Sequence, residues 1–137
     1  MFEFIITYLG FLKHIPFLPS IADALIRLKT FIFNPEVITY TDEIERTVLS
    51  WKGTSLKSHK YGGIQFDVNK KEIGHIHSNG LLDVLLKREV KEQLIKEGRV
   101  KDHHTFQKSG WTSFYIQNEN DKKYAIELLE YSYLLKY

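Results

Sequence analysis

Between Thr54 and His77 the chain alternates short apolar and polar runs with turn residues, and this block restricts the possible folds more than any other. Ile64, Phe66 and Val68 alternate with Gln65 and Asp67, the period-two pattern of a half-buried strand. Gly62-Gly63 marks a turn or bulge before it, and Asn69-Lys70-Lys71 a hairpin connection after it. Three strands are therefore expected, over 54–60, 63–68 and 72–77. In the third, Ile73, His75 and His77 are expected on one face, with Gly74 and Ile76 on the other.

Helical patterns flank this block. Ser20 is expected to cap a helix in which Ile21, Leu25, Leu28 and Ile32 recur at helical spacing, with Asp23 in the first turn four residues before Arg27. Thr41 is expected to cap a second, its Ile44, Val48 and Trp51 facing inward. A third spans about 87–97, with Val90, Leu94 and Ile95 as its apolar stripe and Gly98 as its stop. One more strand follows over about 111–117. The final helix begins near Asp121, with Ala125, Leu128, Leu129, Ser132 and Leu135 on or near one side. This order predicts an α+β single domain: a mainly antiparallel sheet of four to five strands against helices, with extra helices at the N-terminus.

A chain of 137 residues, 43% hydrophobic and 26% charged, suits one globular domain with a core of its own. The absence of cysteine excludes disulfides, thiolate ligands and a cysteine nucleophile. It is compatible with a reducing compartment, and the expected location is cytoplasmic, with peripheral membrane contact as an option. A net charge of +2, from 19 basic and 17 acidic residues, makes no electrostatic case for nucleic acid. Lys52, Lys57, His59 and Lys60 cluster near the first strand, with Lys70 and Lys71 at the hairpin and Tyr61 nearby. Such a group can touch phosphates, but interspersed acidic residues make it an ordinary surface, and nucleic acid is not an expected partner.

The first twelve residues are apolar apart from Glu3 and Thr7, and Lys13, His14 and Pro16 end that run at about half the length a membrane span needs. The acidic start and the lack of a cleavage pattern do not fit a secretory signal. Residues 1–18 are expected to dock on the domain, or to contact a membrane surface or a protein partner.

The chemistry-bearing residues are mostly histidines. His75 and His77 would sit about 6.5–7 Å apart along one strand face, close enough for two imidazoles to reach one transition metal. Asp83, His103 or His104 could supply a third ligand. The same groups could form an acid–base site oriented by Asp83, or a structural turn. His103 and His104 are adjacent, so in an extended link at most one faces the same cleft. Ser109-Gly110-Trp111 lacks the G-x-S-x-G elbow of a serine nucleophile, and Gly62-Gly63 lacks a dinucleotide fingerprint. There is no P-loop, and no motif names a cofactor.

The glycine-rich strand at Gly62-Gly63, the turn Gly74-His75-x-His77 leading through Gly80 to Asp83, Gly98, the pair His103-His104, Ser109-Gly110-Trp111 and the final Ser132-Tyr133 together resemble the small family labelled luciferase domain. The resemblance covers about residues 50–137 and departs at Leu85-Leu86, where a phenylalanine–proline pair is more usual. The segment 98–135 also looks like the more distant MmcQ/YjbR-like domains. The resemblance implies a curved antiparallel sheet backed by helices, with an apolar helical segment over 1–35 and the luciferase-like domain over 36–137. The label implies light-emitting oxygenation for some member and carries no mechanism to this chain. The expected function is binding or conversion of an unidentified small molecule in a cleft lined by His75, His77, Asp83 and one of His103 or His104. Tyr61, Trp111 and Tyr115 would form an apolar wall. The alternative is a non-catalytic interaction module whose N-terminus contacts a membrane or protein.

Overall fold

A computed structural model describes residues 18–137; the expectations for the first seventeen residues lie outside that range. Four helices, α1 (Leu18–Phe33), α2 (Pro35–Leu49), α3 (Arg88–Lys96) and α4 (Glu119–Lys136), accompany six strands. These are β1 (Thr54–Ser58), β2 (Ile64–Val68), β3 (Lys71–Ile76), β4 (Leu81–Leu85), β5 (Lys101–Asp102) and β6 (Trp111–Tyr115). They form one open antiparallel sheet in the order β1-β2-β3-β4-β6-β5. The α+β class stands, with six strands instead of four to five.

Local chemistry sets most boundaries. Asn69 and Lys70 both adopt positive φ, the two-residue hairpin turn whose twist suits flanking strands. Asn118 caps α4, accepting from the backbone N–H groups of Asn120 and Asp121, while Glu119 and Asp121 face the positive end of the helix dipole. Gly98, at φ +70°, ends α3 as expected. Two caps differ from expectation. Helix α2 begins at Pro35, so Thr41 lies inside it and bonds back to the Ile38 carbonyl. Helix α1 begins at Leu18, which leaves Ser20 inside it.

Helices α2 and α4 pack against each other and on one face of the sheet. Ile44 and Val48 of α2 and Ala125, Leu128 and Leu129 of α4 meet Phe66, Val68, Ile73, Ile76, Leu82 and Val84 in the core. Fully buried Ser132 ties α4 to the sheet by donating to the Ile73 carbonyl at 2.9 Å. Leu135, expected on the packed side of this helix, is 39% exposed near its end.

Residues 81–86, unassigned by periodicity, contain β4. Leu81–Val84 are all buried, so their apolar run lacks the alternation that marks a half-buried strand. The expected facing of β3 also needs correction. The register shifts between Phe66↔Gly74 and Asp67↔Glu72, leaving Ile73 as an extra residue. This β-bulge turns Ile73 into the core beside Ile76, away from His75 and His77.

Candidate functional site

The polar face of the sheet carries a row of direct cross-strand neighbours, Lys57–Gln65–His75–Asp83–Ser113–Lys101, one from each strand. Its centre is buried: His75, His77 and His103 are each under 7% exposed, and Asp83 is fully enclosed. Asp83 Oδ1 accepts a 2.5 Å hydrogen bond from Ser113 Oγ. Its Oδ2 faces three imidazole Nε2 atoms, those of His75 at 3.3 Å, His77 at 3.4 Å and His103 at 3.7 Å. Among the described residues no directed hydrogen bond reaches Oδ2, although the oxygen is buried. The carboxylate is thus held by its bond to Ser113, with the three ring nitrogens facing it across these gaps.

The β-bulge completes the site on its other side. In a regular strand Glu72 and His75, three residues apart, would point to opposite faces. The extra residue at Ile73 puts them together, and Glu72 Oε1 lies 2.7 Å from His75 Nδ1. His75 therefore bridges two carboxylates. His59 stacks on it, rings nearly parallel and 3.7 Å apart, with Nε2 at 4.0 Å from Glu72. Gly63 permits the turn that brings His59 there. It has φ +84°, and a Cβ at this position would lie 2.2 Å from the Ile76 carbonyl oxygen.

His103 arrives from the segment after β5. Its Nδ1 accepts from the backbone N–H groups of Thr105 and Phe106 at 3.0 and 3.1 Å, so the proton of the neutral ring sits on Nε2, facing Asp83. The segment is anchored by buried Lys91 of α3, which donates to the Gln107 and Ser109 carbonyls and pairs with Asp102 at 2.6 Å.

The charges follow from these contacts. Burial pushes the His75 pKa down, but the Asp83 and Glu72 carboxylates on either side of the ring outweigh it, and the net shift is upward. Burial pushes the Asp83 carboxyl up, but His75, His77 and Ser113 hold it below the usual carboxylate range. His59 goes the other way. Burial, then repulsion from His75, lowers it to about 4 against the pull of Glu72. His103 is also lowered, by burial first and by the neighbouring His104, despite attraction from Asp83.

Of the expected site residues, His75, His77, Asp83 and His103 converge. His104 is exposed and stacks on the outer side of His103, with ring centroids 4.4 Å apart, so one member of the pair faces the cluster. Trp111 is half-buried beside His75 and His103, at centroid distances of 5.5 and 6.2 Å. Tyr61 is 52% exposed and meets the edge of His59. Tyr115 shares a strand face with Trp111 and Ser113 but is 43% exposed beside Lys101. The three aromatics do not form one continuous wall. The basic cluster near β1 is also dispersed, because Lys57 pairs with Asp67 at 2.6 Å and His59 is buried.

Sequence reasoning missed Glu72, His59 and Ser113. Strand alternation hides Glu72, and two flanking lysines make His59 look like surface. Ser113 was legible only as an alternating position opposite an unrecognised strand.

Among the described residues no helix is long and apolar enough to cross a membrane. No curated protein and no solved structure matched the chain. Nothing in these comparisons bears on the likeness to MmcQ/YjbR-like domains. Residues 70–132, which carry His75, His77, Asp83, His103 and Ser113, match the family model described as Luciferase domain, in agreement with the resemblance carried by the histidine and S-G-W motifs.

Proposed function

We propose that the domain binds a small ligand at the histidine cluster and transfers a proton to or from it, with His75 and Asp83 as the charged pair and His77 and His103 lining the approach. The supporting observation is the fully buried Asp83 carboxylate faced by three imidazoles, on the sheet face opposite the apolar core. Concentrating charge in a dry interior is costly, and groups perturbed in this way gather at functional sites. A cavity of about 40 Å³ borders His77, roofed by Asp23 and Arg27 of α1 and by Ile38, Thr41 and Glu45 of α2. It has room for several water molecules and reaches the cluster only through His77. Ser78 Oγ donates to Asp23 at 2.8 Å beside it and ties α1 to the turn after β3. The test is a screen of small aromatic and carboxylic compounds read through the histidine ring resonances. Binders are expected to shift His77 and His103 and to lose affinity in Asp83→Asn. Binders that leave both rings unmoved count against the reading.

A second reading rests on α1. Ile21, Leu25, Leu28 and Ile32 are 56–63% exposed, a helical stripe turned away from the sheet. Arg27 and Lys29 are also exposed. Together with the apolar run before it, this stripe supports contact with an anionic membrane surface. The full chain should float with phosphatidylcholine–phosphatidylserine vesicles, and Leu25→Glu/Leu28→Glu should not. Equal flotation of the two proteins would remove α1 from the interface.

A further inference from the structure

We infer that His75, His77 and Asp83 form a binding site for one divalent transition-metal ion of the zinc or cobalt type. The inference deepens the histidine-cluster reading above, since it assigns a cofactor to the same site. Three observations carry it, and each is geometric.

The first is spacing. A tetrahedral ion bonded at about 2.0–2.1 Å holds its ligand atoms about 3.3 Å apart. Asp83 Oδ2 lies 3.3 Å from His75 Nε2 and 3.4 Å from His77 Nε2, and the three atoms fall within 4.8 Å of one another. The two rings are nearly perpendicular, with centroids 5.1 Å apart, so they approach the common oxygen from different directions. The second is Asp83 Oδ2 itself, enclosed completely and reached by no directed hydrogen bond among the described residues. Buried oxygens of this kind call for an explanation, and a cation between the carboxylate and the rings supplies one. The third is the outer contact to Glu72. It receives the Nδ1–H of His75 at 2.7 Å, so an ion that displaces the proton on Nε2 meets a lone pair aimed at the site. Metal-bound histidines are commonly oriented by a carboxylate in this way.

Neighbouring groups define what the site excludes. His103 also faces Asp83, but its Nδ1 is occupied by two backbone N–H groups, so its Nε2 carries the proton and is a donor, not a ligand. It faces the centre where a metal-bound water or substrate atom would need a hydrogen bond, leaving three protein ligands and an open position. His59, Glu72 and His75 also lie close enough to share an ion. An ion there would displace the His75–Glu72 hydrogen bond, and the parallel stacking of His59 on His75 sets the rings side by side instead of converging.

The test is titration of the full chain, purified without an affinity tag and stripped with a chelator, with Co²⁺ and then Zn²⁺. The expected result is ligand-field absorption that saturates at one Co²⁺ per chain and is bleached by Zn²⁺. His77→Ala and Asp83→Asn should abolish it, and the exposed His104→Ala should not. Glu72→Gln keeps the three ligands and should weaken affinity about 10–100-fold. It also keeps the inference testable if the ligand variants fail to fold. No saturable absorption in folded wild type would overturn the inference, as would unchanged affinity in Glu72→Gln or in a folded Asp83→Asn. Repeating the compound screen on the chelator-stripped protein separates the two readings. Binders that shift His77 in a protein unable to take Co²⁺ would leave the ligand reading standing and remove the metal.

Discussion

Replacing His59 by phenylalanine should flatten the acid side of the stability curve. In the folded chain His59 is buried and stacked on His75, and its Nδ1 has no hydrogen-bond partner among the described residues. Burial, then the charge of His75, lowers its pKa from 6.5 to about 4. The unfolded chain takes up this proton near pH 6.5, and the folded chain refuses it until about pH 4, so stability falls as pH drops through that window. At about 1.4 kcal/mol per pKa unit the full fall is about 3 kcal/mol. The lowered His103 acts in the same direction. The contribution of Asp83 is present above its unfolded pKa and is lost below it, mostly at lower pH than the window. The contribution of the raised His75 is fully present throughout the window and is lost only as pH rises through its folded value. Phenylalanine keeps a flat ring over the His75 imidazolium and removes the orphaned nitrogen. Urea unfolding followed by tryptophan fluorescence should find the variant equal to or slightly more stable than wild type at pH 7. At pH 4.5 it should be about 2–3 kcal/mol more stable. Parallel pH dependence in the two proteins would refute the reasoning.

Glu72→Gln should lower the titration midpoint of His75 in histidine ring spectra, because one of the two carboxylates raising it is removed; an unmoved midpoint would detach Glu72 from the site. Gly63→Ala should destabilise the fold by about 2 kcal/mol or more in urea, since its Cβ would meet the Ile76 carbonyl at 2.2 Å in a left-handed conformation. Wild-type stability would show that the β1–β2 turn can relax. Ser132→Ala should cost about 1–2 kcal/mol by leaving the Ile73 carbonyl without its 2.9 Å donor, and an unchanged midpoint would mean another group satisfies it.

Periodicity and turn chemistry made much of the fold legible. Alternation in Ile64–Val68, the Asn69-Lys70 turn, the stop at Gly98 and the apolar side of the last helix all act within a few residues. Such signals need no knowledge of what lies across the sheet. Strand β4 escaped because both of its faces are covered, so Leu-Leu-Asp-Val-Leu shows no alternation. Strand β5, only two residues long, exists because β6 pairs with it.

The candidate site divides in the same way. Strand spacing sufficed to pair His75 with His77, because imidazoles two apart on a strand must share a face, while Asp83 and the adjacent histidines entered as candidate partners through residue type and the family resemblance. The facing of Glu72 and Ile73 was decided by tertiary structure, through one extra residue in the β2–β3 ladder that reverses the alternation. The close approach at Gly63 carries His59 onto His75, and pairing with β6 gives Asp83 its Ser113 donor. These contacts depend on which strands become neighbours and where their register slips. Both are settled by the packing of the whole sheet against α2 and α4, and the local sequence leaves them open.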